Sequence, residues 1–336
     1  MNITGIYEQK LESLNKIISK NKLGFMYEFQ QEQDNGLILP FFSSYMDSLN
    51  RIGLDFSVTT DKEATAGIIY NEKLIFISFG LIDRVSKLSE LILSSGILDG
   101  KEKPIRYYDL HLIDNPFTGF KIDDNVFESD DQINLYLFIF DQLLSFIITH
   151  EVGHFVNGHG NRLKKSNVNY ILDDIEKYRE IIGEEVIASH ARELVADNYA
   201  FHLISKFIDS SLGEKPIDLL LNKFKGENGS ILLTLVLVTC YFQLMDSVST
   251  SKHFNQTHPE AIARAFYIMA TYDESHMKDP SFYQFDTIYP KVMVLVERVF
   301  KQLDTNFKTT WKDKIITEEM EIWYEIMNKE FQLWVR

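Results

Sequence analysis

A single cysteine, Cys240, among 336 residues rules out an internal disulfide, and a reducing cytoplasm is the expected compartment. Positive charge is also scarce: 34 Lys and Arg stand against 49 Asp and Glu, a formal net charge of -15. Nucleic acid and anionic lipid are bound through clustered cations, so neither is expected as the main partner. A protein or peptide substrate is left open. Long apolar runs are missing too. Residues 135–149 are interrupted by Asp141 and Gln142, and 231–245 by Thr234, Thr239 and Gln243. Both fall short of the roughly 20 apolar residues that cross a bilayer, so both read as core helices and no membrane span is expected. The first twenty residues, MNITGIYEQKLESLNKIISK, lack an apolar signal core and read as an amphipathic helix. Internal repeats and low-complexity tracts are absent.

What is present suffices for a sizeable core, since 45% of the residues are hydrophobic and 13% aromatic. Helical patterning covers 1–20, 42–52 and 81–94. Residues 56–60 and 73–79, rich in β-branched and aromatic side chains, read as strands, with 64–70 a further extended segment and Asn71-Glu72 a tight turn. Gly, Pro and Asp are dense over 96–131, which reads as a long ordered loop or small insert. One long helix is expected over 135–158, stopped by Gly158 and Gly160. Residues 170–204 read as mostly helical. Further helices are expected at 231–248, with Ser230 as N-cap, and at 258–271, with Pro259 in the first turn. Helical spacing continues through 279–336. The expected fold is α+β, mostly α, with a small sheet. Its divisions are an N-terminal helical segment 1–54, a core 55–270 carrying the insert 96–131, and a C-terminal helical extension 271–336.

The chemistry-bearing run is His150-Glu151-Val152-Gly153-His154. Two histidines four apart share one helix face, roughly 5–6 Å between Cβ atoms. Both imidazoles can then reach one zinc ion at about 2.0–2.1 Å, and the intervening glutamate can serve as base toward the attacking water. A catalytic zinc takes three protein ligands. His159 fails as the third, because the HExxHxxGxxH pattern needs glycine at 157 and histidine at 160, where this chain has Asn157 and Gly160. It reads as a motif neighbour directed away from the metal. Glu193 is the better candidate. Asp197, one helical turn on, can orient a ligand imidazole through a hydrogen bond, and His190 is a weaker rival ligand. His111, His202, His253 and His276 read as surface or satisfied core. Composition alone yields an HExxH pentad in roughly a few per cent of such chains, so the weight rests on the ordered set rather than on the pentad.

HEVGHFVNGH at 150–159, followed by Glu193-x-x-Ala196-Asp197, then Thr257-His258-Pro259 with Arg264, resembles the gluzincin metallopeptidases of the HtpX and CAAX-prenyl-protease type. The segment ATAGIIYNEKLIFISFGLID is similar to that family's edge strand and hairpin. The resemblance spans about 55–270 and implies a zincin-like metallopeptidase core. It implies one catalytic zinc on His150, His154 and Glu193, Glu151 as general base and later proton donor, and Asp197 behind the ligands. It further implies that His258 and Arg264 stabilise the oxyanion, and that Ala66, Gly67 and Ile68 bind substrate backbone as an added strand. Membrane helices known in that family are not expected here. A weaker resemblance, of size, motif and the lack of such helices, is to phage-exclusion proteases of the Lit type.

The expected function is a zinc metalloendopeptidase hydrolysing a cytoplasmic protein. A refinement is a regulated toxin or defence protease gated by the insert or the C-terminal helices, with an activating partner. The alternative is a non-proteolytic, zinc-containing peptide-binding or regulatory module, against which the retained Glu151 counts.

Overall fold

The computed structural model describes residues 12, 15–20, 22–26, 39–98, 100, 102, 111–112, 120–121, 129–162, 171–173, 184–211, 224, 229–246, 258–276, 285–301 and 318–335. The chain runs through helix α1 (Leu39–Arg51), strands β1 (Asp55–Thr59), β2 (Ala66–Ile69) and β3 (Leu74–Ser78), and helix α2 (Phe79–Ser94). Short strands β4 (His111–Leu112) and β5 (Phe120–Lys121) lead to helix α3 (Asp130–Val156), the single turn α4 (His159–Arg162) and strand β6 (Ile171–Asp173). Helices α5 (Glu184–Ser211), α6 (Gly229–Asp246), α7 (Ala261–His276), α8 (Phe285–Phe300) and α9 (Glu318–Trp334) follow. The fold is α+β and mostly α, as its sequence led one to expect.

The main sheet is mixed, in the order β1-β3-β2-β6. β1 runs parallel to β3, while β2 runs antiparallel to both β3 and β6. The unbroken apolar run of β3 reflects burial on both faces. Alternate side chains serve different layers. Ile75 and Ile77 enter the main core with α2 and α3, and Leu74 and Phe76 pack on Ile18, Leu23 and Met26 from the N-terminal segment. A third cluster joins α5, α7 and α9 through Ala191, Leu194, Ala263, Tyr267, Met320, Trp323 and Met327.

Helix α3 is central. The Ser129 hydroxyl accepts from the Gln132 amide at its start, and Asp130 and Asp131 suit the positive end of the helix dipole. The helix ends where Asn157 caps it and Gly158 takes φ 67°, a left-handed value that glycine adopts without cost. It starts five residues earlier than its apolar run suggests. At 27 residues it is long and apolar enough to cross a bilayer, and 72% of its most apolar window is buried inside the protein.

Four local expectations change. Residues 171–173 form a strand rather than part of a helix, and α5 begins only at Glu184. Ser230 lies inside α6 and its hydroxyl donates to Asp209 at 3.3 Å rather than capping. Pro259 precedes α7, which starts at Ala261. Segment 64–70 is not an open edge, because β6 pairs with β2 at Gly67, Ile68 and Ile69. The edge of β2 that was to receive a substrate strand is therefore occupied at Gly67 and Ile68 by the chain's own β6, and only Ala66 lies beyond that ladder. Most of 1–38 and of the 96–131 insert, together with Thr257 and His253, lies outside the described residues.

Candidate active site

Helices α3 and α5 build the site between them. Gly153, immediately before His154, makes their approach possible: a Cβ there would meet the Ala196 Cα at 3.0 Å and the Tyr199 Cβ at 3.3 Å. The small pair Gly153 and Ala196 thus brings the Glu193–Asp197 turn of α5 against the His150–His154 turn of α3.

His150 Nε2 and His154 Nε2 face one another at 3.1 Å. The Glu193 carboxylate closes the group, Oε2 at 3.3 Å from His150 Nε2 and Oε1 at 3.2 Å from His154 Nε2. One donor atom from each residue lies within 4.8 Å of the others, so the three could hold a metal ion. The fit is chemically specific. Two ring nitrogens sharing one tetrahedral ion at about 2.0–2.1 Å stand roughly 3.3 Å apart, close to the separation found. Both rings have their other nitrogen engaged elsewhere. His150 Nδ1 stands 2.8 Å from Asp197 Oδ1, and His154 Nδ1 stands 2.8 Å from His159 Nδ1.

Arg264 of α7 holds Asp197 from behind with a two-pronged contact, Nε to Oδ2 at 2.8 Å and an Nη to Oδ1 at 2.7 Å. The same Nη is 3.7 Å from Glu193 Oε2, and the guanidinium lies over the Phe242 ring at 4.6 Å. Two of its donors are thus spent on Asp197. His258 Nε2 stands 3.5 Å from Glu193 Oε1. The cleft is lined by Ala66, Phe146, Ile147, His150, Glu151, His154, Glu193, Tyr241, His258 and Arg264. Glu151 therefore shares it with the donor group, and its side chain is buried.

The electrostatics follow from burial and these pairings. Burial opposes charge on His150, but the Asp197 and Glu193 carboxylates outweigh it and hold its pKa near 10. His154, where burial dominates, is pushed down to about 4. Burial, then His154 and Arg192, lower His159 to about 2. Glu193 sits well below the usual carboxylate range despite its burial, because His258 and His154 attract the charged form. Asp197 is likewise lowered against its burial by Arg264. The site therefore holds two ionised carboxylates beside the imidazoles, an arrangement suited to a cation.

Several residues stand where the sequence did not foretell. His159 touches His154 instead of turning away. His190 is not at the metal group: its Nδ1 accepts from Trp323 Nε1 at 3.3 Å in the third cluster. Phe146 and Ile147 form an apolar wall of the cleft, a role their positions four and three residues before His150 on the same helix would have signalled. Tyr241 completes that wall from α6, and nothing in its local sequence separates it from a core residue. The Arg192 guanidinium stacks on the Trp334 ring at 4.8 Å.

Neither a curated protein nor a solved structure matches the chain. A family model, Peptidase U49, matches residues 115–285, just over half of the chain, and spans α3, α5, α6 and α7 with every donor described above. The chain belongs to the Peptidase U49 family.

Proposed function

We propose that the protein is a zinc metalloendopeptidase of gluzincin type that cleaves a cytoplasmic protein. The observation that carries this reading is the convergence of His150, His154 and Glu193 on one point, with Glu151 in the same cleft. Two imidazoles and a carboxylate are a set that suits zinc. Bound there, the ion would polarise the scissile carbonyl and make water acidic enough to attack at neutral pH.

The chain's own groups supply the rest. Glu151 accepts the proton of the attacking water and delivers it to the leaving nitrogen. His258, beside Glu193, offers an Nε2 donor to the tetrahedral oxygen. Asp197 fixes the His150 ring, and Arg264 fixes Asp197, so the support for Arg264 is stronger as a holder than as an oxyanion donor. Ala66 borders the cleft just beyond the β6 ladder, where an extended substrate backbone can approach. The cytoplasmic assignment rests on the lone, buried Cys240.

The test compares proteomes of cells expressing wild type and Glu151→Gln, scored for new protein termini, with metal analysis of both purified proteins. Termini that depend on Glu151, with stoichiometric zinc in both proteins, are expected. Identical termini from wild type and variant would overturn the proteolytic reading.

A further inference from the structure

We propose that His159 is a positioning residue for the metal site: it grips the His154 imidazole at Nδ1 and so aims Nε2 at the shared donor group. This rests on reading His150, His154 and Glu193 as metal ligands.

The backbone makes the contact possible. Five residues further along a continuous helix, a side chain would point about 140° away from His154. The helix instead stops at Asn157, and the left-handed Gly158 reverses the chain so that α4 opens with His159 against the flank of α3. The two Nδ1 atoms then meet at 2.8 Å, with the rings nearly perpendicular at 75°.

That contact fixes a tautomer. One ring must donate and the other accept. His154 Nε2 faces His150 Nε2 and Glu193 Oε1, where a ligand must present a lone pair. The proton therefore sits on His154 Nδ1, and His159 Nδ1 accepts it. Asp197 Oδ1 stands equally close to His150 Nδ1, at 2.8 Å, so each ligand ring has a neighbour at the nitrogen that does not face the donor group. A neutral imidazole in this place adds no third carboxylate charge beside Glu193 and Asp197.

His159 is itself held. It is fully buried, and the Trp334 ring of α9 meets it edge-on at 5.8 Å and 85°. Gly160 stands directly behind, where a Cβ would fall 2.3 Å from the Tyr70 ring, so the α4 turn cannot slide toward β2.

The test uses the full chain and zinc(II), with dissociation constants from competition against a chromophoric chelator. His159→Asn places an amide oxygen where Nδ1 was. His159→Gln places it where Nε2 was. Loss of such an orienting partner typically weakens metal affinity about 10–100-fold, so Gln is expected to lose at least tenfold while Asn stays within about threefold of wild type. Nitrogen-15 spectra of the zinc-loaded protein should show the His154 Nδ1–H tautomer in wild type and in the Asn variant. Equal affinities for all three proteins, or equal losses in Asn and Gln, would overturn the proposal while leaving the metal site standing. Failure of wild type itself to bind zinc would overturn the site reading and this inference with it.

Discussion

Gly153 of α3 and Ala196 of α5 touch so closely that a single added methyl would lie 3.0 Å from the Ala196 Cα. The two residues set the distance between the histidine pair and the glutamate that face each other across the helices. Gly153→Ala cannot be absorbed by a flexible side chain, because its neighbours are the Ala196 backbone and the Tyr199 Cβ. The helices must part by a few tenths of an ångström, at a typical overpacking cost of about 1–3 kcal/mol. Thermal denaturation and a zinc titration should both register it, with lowered Tm and weaker binding. An unchanged Tm would mean that the interface yields freely.

Arg264 offers a sharper separation of two roles. Arg264→Lys keeps the charge but loses the paired contact with Asp197. A charge-assisted hydrogen bond of this kind is worth about 1.5–3 kcal/mol. The expected outcome is reduced stability and reduced zinc affinity. If turnover falls while Tm and zinc affinity hold, Arg264 serves the oxyanion instead.

The contrast between Glu193 and His159 shows what the chain's linear order exposes. His150 and His154, and Glu193 with Asp197, could be read in advance because helical spacing puts each pair on one face, Glu151 because it lies inside the pentad, and the ordered motifs singled out Glu193 as the third ligand. His159 could not, because its position depends on one left-handed glycine whose effect is a change of direction, not a pattern. Helices α3 and α6 announced themselves by apolar density, and α2 and α8 by helical patterning. Strand β6 did not: three residues borrow their stability from pairing with β2, and no local preference marks them. Tyr241 joins the cleft through the packing of α6 on α3, a long-range event with no trace in residues 235–245.

Asp141 predicts a dependence on pH well away from the metal group. Its carboxyl is raised by burial, an effect only partly opposed by the Tyr45 hydroxyl, which donates to it at 2.6 Å. A carboxyl whose folded pKa lies above its unfolded value, about 3.9, favours folding below that value, and the benefit fades as pH rises through the folded pKa. Ionised Asp141 is therefore a cost at neutral pH. Asp141→Asn keeps an acceptor for Tyr45. When the Gln142 amide, which now donates Nε2 to Asp141 Oδ2 at 3.2 Å, turns over, the new amide donates to Gln142 Oε1, which is otherwise buried without a partner. Denaturant melts should find the variant more stable than wild type at pH 7, with the gap narrowing toward pH 5. A less stable variant at pH 7 would count against the reading.

Metal removal gives the simplest check. A ligand that binds only the folded chain stabilises it by about 4.1 kcal/mol at a thousandfold excess over its dissociation constant. Zinc should therefore raise Tm, and a chelator should lower it. The same addition to Glu193→Ala should produce a much smaller shift. Equal shifts in both proteins would place the ion elsewhere.

The contacts of Trp334 with Arg192 and with His159 carry a consequence for synthesis. More than half of the chain separates His150 from Trp334. At about 5–20 residues per second, a ribosome takes roughly 10–40 s to travel from one to the other. For that interval the nascent chain holds the histidine pair without the helix that braces it. The surroundings of the cleft become complete only after residue 334 has been made, a built-in delay between making the donor residues and assembling their full support.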